Sequence, residues 1–235
     1  MKNVVICPNC GSENPFYKYT CVSCKGYLRE RIFNLDLWQL IGMLIESPVK
    51  AFNRIIQSEH KNFVLFIAVL FSVKAFVDSR FISILLTGEN GLRLSLLPTL
   101  LIAAAAGYIV IWICTLILFM VNKSSGLKSR LRDNNAVLVY SLIPYAFGLV
   151  ILFPIELITF GQYLFADNPS PFMLKPTIAF ALLAFEGLLI LWGMFLSITG
   201  IYSLSRSMSY ALIAGIIFNI FLFGFMYFIS IILFV

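Results

Sequence analysis

Hydrophobic positions along this chain do not alternate with polar ones over most of its length; they run together. Five long apolar runs stand out: Asn62 to about Ile84, Leu94–Val121, Ala136–Ala166, Thr177–Leu204 and Ser209–Val235. A bilayer core needs about 20 apolar residues per spanning helix, so each run is long enough to cross. Helices are the expected form, because lipid offers no partner to an unpaired backbone group. The third run carries Pro144 and Pro154 ten residues apart. Proline removes a helical hydrogen bond, which predicts one kinked span; two half-length segments re-entering one side are the alternative. The runs predict an all-α multi-pass membrane protein with a five-helix transmembrane bundle over residues 62–235.

Ahead of the bundle the pattern changes. In residues 34–58, Leu37, Leu40, Ile41, Leu44 and Ile45 recur at helical spacing, then Val49, Phe52, Ile55 and Ile56 do the same. Ser47 followed by Pro48 reads as an N-cap and first-turn proline between two short helices. Neither is long enough to span. With Trp38, Lys50 and Arg54 beside them, they read as a broken amphipathic segment lying on the membrane surface. The alternative is that the segment packs against the bundle and never meets lipid.

Composition agrees. Apolar residues make up 60% of the 235 residues and charged residues 12%, against roughly 45–50% and 25% in soluble domains. Such a chain cannot cover its surface with polar groups, and it is too apolar for disorder. The net charge of +6 does not indicate nucleic-acid binding, because the basic residues flank apolar runs rather than forming one dense stripe. Their placement instead sets orientation, since cytosolic loops collect Lys and Arg. Eight precede the first run, four (Lys123, Lys128, Arg130, Arg132) lie between the second and third, and Arg206 separates the fourth and fifth. The other side holds Arg80, Arg93 and Lys175, a bias of thirteen to three. The N-terminus is predicted in the cytosol and the C-terminus outside. Residues 1–30 hold no apolar stretch of signal-peptide length, so the first span is expected to act as the insertion signal.

Residues 1–30 form a small polar head with its own chemistry. Cys7, Cys10, Cys21 and Cys24 follow the spacing C-x2-C-x10-C-x2-C, the pattern of a tetrahedral zinc site made of two tight knuckles. Pro8, Gly11 and Gly26 suit the turns. Four thiolates leave no open position, so the predicted Zn2+ is structural, and it would supply folding energy to a head too small for a sufficient core. Iron and a pair of disulfides are the alternatives. Phe16, Tyr17 and Tyr19 read as a mini-core or as a docking surface. Cys114 lies mid-span and reads as packing.

Four ionisable residues fall inside the runs: Lys74, Asp78, Glu156 and Glu186. Each costs about 2.5–3.5 kcal/mol or more near a helix centre. Lys74 and Asp78 are four apart and can pair on one helix; Glu186 has no partner on its own helix, which leaves Lys74 across the bundle. They read as interhelical packing contacts, or alternatively as a polar site for a proton, cation or substrate. Spacings of small residues four apart, such as Ala103 with Gly107 and Ala211 with Gly215, suit close helix packing. His60 reads as interfacial. No HExxH pair or phosphate-binding loop is present, so no enzyme activity is expected.

Three stretches carry a family resemblance: LIESPVKAFNRII (44–56), VLVYSLIPYAFGLVILFPIEL (137–157) and SLSRSMSYALIAGIIFNI (203–220). With these the chain resembles the Yip (Ypt-interacting protein) family of five-span membrane proteins over about residues 40–235. CPNCGSENPFYKYTCVSCKGYL resembles the short zinc ribbons of prokaryotic membrane proteins. Eukaryotic Yip members work in vesicle traffic and bind small GTPases through a cytosolic N-terminal region. Here a ribbon stands in that place, so GTPase binding does not carry over. The combination implies a prokaryotic cell-membrane protein and little about its chemistry; the chain as a whole is expected to be a scaffold or assembly factor, meeting lipid and either another membrane protein or a second copy of itself. A small transporter or channel using the intramembrane carboxylates and a membrane-shaping protein are the alternatives.

Overall fold

In a computed structural model of the chain, residues 3–87, 96–166 and 168–234 are described. Lys2 and Arg93, both used in the orientation argument, lie outside the described residues, as does the side chain of Arg80. Four helices among the described residues are long and apolar enough to cross a membrane: Leu97–Ser124, Ile143–Phe165, Pro176–Ser205 and Met208–Ile229. They mark an integral membrane protein. Only 17% of the most apolar stretch of the third of these is buried inside the protein. A surface of that kind, with Leu101, Ile109, Ile158, Phe180, Leu188 and Phe228 exposed, needs an apolar solvent. The first predicted span is also a helix, Val64–Thr87 of 24 residues; its side chains are described only over 64–79, and it is not among those four.

The chain divides into two compact units. One comprises Met1–Leu65, Trp112–Ser141 and Phe195–Phe218. Its head is a two-stranded antiparallel hairpin, β1 (Val4–Ile6) with β2 (Glu13–Pro15), in the register Val5 opposite Asn14. Next come α1 (Leu37–Glu46) and α2 (Pro48–Gln57). Asp36 caps α1 by accepting from the Gln39 amide at 2.8 Å. Ser47 ends α1 and begins α2, with Pro48 in the first turn. The surface-lying segment needs correction at α2. Its apolar face of Ala51, Phe52, Ile55 and Ile56 is buried in protein, so it does not lie on lipid. Only α1 keeps apolar side chains outside, Trp38 at 80% and Ile45 at 62% exposure.

The same unit holds the later part of α4, itself preceded by α3 (Val64–Thr87) and spanning Leu96–Ser124, and all of α5 (Leu131–Tyr140). Every residue of α5 from Asp133 onward is buried. Its polar side chains are therefore paired. Asn134 Oδ1 accepts from Asn122 at 2.6 Å, Asn122 accepts from the Tyr210 hydroxyl at 2.7 Å, and Asn135 donates to Thr115 at 3.2 Å. Asp133 pairs with Lys61 at 3.1 Å and with Arg130 at 2.7 Å.

The third apolar run is accordingly not one continuous helix. α5 stops at Tyr140, and a new helical run begins at Ile143 as α6 (Ile143–Phe147), with Pro144 in its first turn where the missing N–H costs nothing. A π-helical turn, Gly148–Leu152, joins it to α7 (Phe153–Phe160). There the Phe153 amide reaches Gly148 O, five residues back. The wider turn accommodates Pro154, which has no amide to give.

The second unit comprises Phe66–Ile111, Leu142–Met194 and Asn219–Val235. It contains most of α3, the first half of α4, α6, α7, the short α8 (Pro171–Leu174), and the corresponding parts of α9 (Pro176–Ser205) and α10 (Met208–Phe234). Close helix approach depends on glycine at two points. A Cβ on Gly107 would fall 2.6 Å from Ser72 Oγ, and one on Gly148 would fall 2.9 Å from Lys74 Cε.

Candidate metal centre and intramembrane polar cluster

The head's two knuckles are built by backbone bonds. The Gly11 amide donates to Cys7 O at 2.9 Å and the Cys7 amide to Ser12 O at 3.0 Å; the Cys21 amide donates to Gly26 O at 2.8 Å. Gly11 has φ +69°, a conformation open to glycine. In the second knuckle the left-handed residue is Lys25, φ +63°. Gly26 is small for another reason: a Cβ there would sit 2.8 Å from Asn9 Nδ2 of the first knuckle.

These turns bring the sulfurs of Cys7, Cys10, Cys21 and Cys24 within 4.8 Å of one another. Cys7 lies 3.6 Å from Cys24 and Cys10 lies 3.6 Å from Cys21. Sulfurs around a tetrahedral zinc are about 3.8 Å apart, given Zn–S bonds near 2.3 Å. All four cysteines are free thiols, so the disulfide alternative falls. The four together can hold a metal ion. Around them stand two side chains that the cysteine spacing does not reveal. Ser12 Oγ is 3.1 Å from the sulfurs of both Cys10 and Cys21. Asn14, fully buried, lies 3.5 Å from Cys21 Sγ through its amide nitrogen and accepts from the Val22 amide at 2.8 Å. The Ser12 hydroxyl and the Cys24 amide draw the Cys21 thiol down to about 5. Cys24 stands at about 12: the Gly26 amide pulls it down, and the sulfurs of Cys10 and Cys7 outweigh that pull.

The loop aromatics are neither a closed mini-core nor a free surface. The Arg130 guanidinium lies 4.1 Å from the Tyr17 ring and that of Arg206 lies 4.9 Å from the Phe16 ring. Asn3 donates to Ser203 O at 3.0 Å and Leu204 O at 2.9 Å, the orphan carbonyls at the end of α9. Arg29 bridges Tyr17 O and Gln57 O, both at 2.9 Å. Arg206 also donates to Asn53 at 2.9 Å. The head is bolted at four points to the loops and helix ends of its own unit.

The four ionisable residues of the apolar runs gather in the second unit. Lys74, fully buried, pairs with Asp78 at 2.8 Å and with Glu186 at 2.5 Å. Glu156 reaches the same cavity as Asp78 and Glu186. The Tyr145 hydroxyl and Glu156 Oε2 are buried without a hydrogen-bond partner among the described residues. Cys114 is buried in α4, and His60 donates its amide to Phe33 O at 3.0 Å.

No known protein family, curated protein or solved structure matches this chain.

Proposed function

We propose that this chain is a non-enzymatic, five-span membrane protein of the Yip type from a prokaryotic cell membrane, in which a zinc-ribbon head forms a fixed cytosolic platform for assembling another membrane protein. The observation that carries the reading is the bolting of the head. A recruiting module on a free tether needs no contact with the bundle. This one spends Asn3, Phe16, Tyr17 and Arg29 on such contacts and leaves its remaining exposed side chains at a set orientation. Preorganised surfaces bind with less ordering cost. Tetrathiolate coordination suits zinc in a structural role.

The topology draws support from the first unit alone. The head, the segment after α4 and the turn after α9 touch one another there. Counted with the rest of the chain before α3 and the last residues of α4, these regions hold thirteen of the seventeen basic residues. If they share the cytosolic face, α4 enters from the far side, and α3 must have crossed first despite its charges. α10 then leaves the C-terminus outside.

The test is affinity purification of tagged full-length protein from native membranes in mild detergent, comparing wild type with Cys7→Ser/Cys10→Ser. The expected result is a stoichiometric membrane-protein partner that is lost with the cysteine pair while the variant remains inserted. A chain that purifies without a partner, or keeps the same partner without its cysteines, overturns the reading.

A further inference from the structure

The second unit contains a cavity of about 170 Å³ whose lining includes Asp78, Glu156 and Glu186 on one part and Phe160, Phe172 and Met226 on another. Three carboxylates meet one ammonium, Lys74, and Lys74 is already committed to Asp78 and Glu186. Glu156 is left over. It is 5% exposed, and its Oε2 has no hydrogen-bond partner among the described residues. An unpaired carboxylate away from water is costly, and intramembrane carboxylates of this kind pair with something. The protein supplies no cation for it among the described residues.

We propose that this cavity binds an organic ammonium ion with an apolar body, its charged head on Glu156 and its hydrocarbon part against Phe160, Phe172 and Met226. Among the described residues the charge balance is against an anion. A bare metal cation would need about six oxygen ligands, and most of this wall is hydrocarbon. A neutral apolar guest would leave Glu156 unpaired. The volume fits the chemistry as well: a cavity of about 150 Å³ accepts a benzene ring, so an aryl ring with a short amine arm is of the right size. This inference is independent of the head and of its metal.

Full-length protein in lipid nanodiscs is titrated by calorimetry with phenethylamine and with its neutral isostere phenethyl alcohol, with empty nanodiscs as the baseline. The amine is expected to bind at least about tenfold tighter than the alcohol, and Glu156→Gln to bring the amine down to the alcohol's affinity. Equal binding of the two, or no binding of either, overturns the proposal; both comparisons use wild-type protein and do not depend on the variant folding. Unchanged amine affinity in a folded Glu156→Gln protein overturns the role of Glu156. Displacement of the amine by potassium chloride but not by choline chloride at equal ionic strength would assign the cavity to a metal ion and also overturn the proposal.

Discussion

Asn14 is a residue the cysteine spacing gives no hint of, because its role depends on the hairpin returning β2 beneath the second knuckle. It joins the Val22 amide to the Cys21 sulfur inside the head. Replacing it with alanine leaves a buried amide unpaired, at a cost of about 1–3 kcal/mol. Loaded with zinc, the ion proposed for this site, Asn14→Ala should therefore release it to a chelator about 10–100-fold more readily than wild type, read by colorimetric zinc release from purified protein. Lys61 carries a pH dependence. Burial pushes its amine down to about 8 from an ordinary 10.5, although Asp133 lies beside it. The native state thus binds fewer protons than the unfolded chain between those values. The penalty is fully present below about pH 8 and is relieved as pH rises through the window. Thermal unfolding in detergent should show wild type gaining on Lys61→Met between pH 8 and 10; a difference that stays constant with pH would contradict this. The Lys74–Asp78 pair was legible from its spacing of four. The convergence of Glu156 on the same cavity was not, because it depends on the course of a proline-bent segment.

At the scale of elements, the long apolar helices were plain in the sequence because lipid-facing and buried positions are both hydrophobic, which leaves no polar stripe. The same uniformity hid the break at Ser141–Leu142. α5 looks like the start of a span by hydropathy from Ala136 onward, yet Asp133, Asn134 and Asn135 belong to its buried network. A buried polar network and a solvated loop have the same composition, so residues 128–135 read as a loop. The amphipathic signal of α2 was correct as a pattern, but amphipathicity does not say whether protein or lipid covers the apolar face. Gly200 on α9 decides how closely that face is covered. A Cβ there would come to 2.7 Å of Val137 Cγ1 and 3.0 Å of Phe52 Cε1. Gly200→Ala should cost about 1–3 kcal/mol through overpacking, seen as a lowered unfolding midpoint in detergent with no change in metal content.

For the whole molecule, the charge bias along the chain is the clearest sequence signal of topology, because basic loops are retained on the cytosolic side regardless of how the helices pack. On the proposed five-span topology it leads to a definite experiment. Alkaline phosphatase fused after Val235 should be active, and the same reporter fused after Ser125 should be inactive. The reverse pattern, activity after Ser125 and none after Val235, would mean that α3 does not cross. Which groups hold the head in place was beyond sequence reasoning, since cation–π contacts between Tyr17 and Arg130 or Phe16 and Arg206 join residues more than a hundred positions apart.

That separation sets an order of events during synthesis. The head is translated first and can fill its sulfur site at once, but Asn3 finds Ser203 and Leu204 only when α9 has been made. Until then only the contacts of Arg29 with Gln57 and of Tyr17 with Arg130 can hold the head. The contacts that the head makes with the end of α9 and the turn after it therefore close last, when most of the chain has already been made.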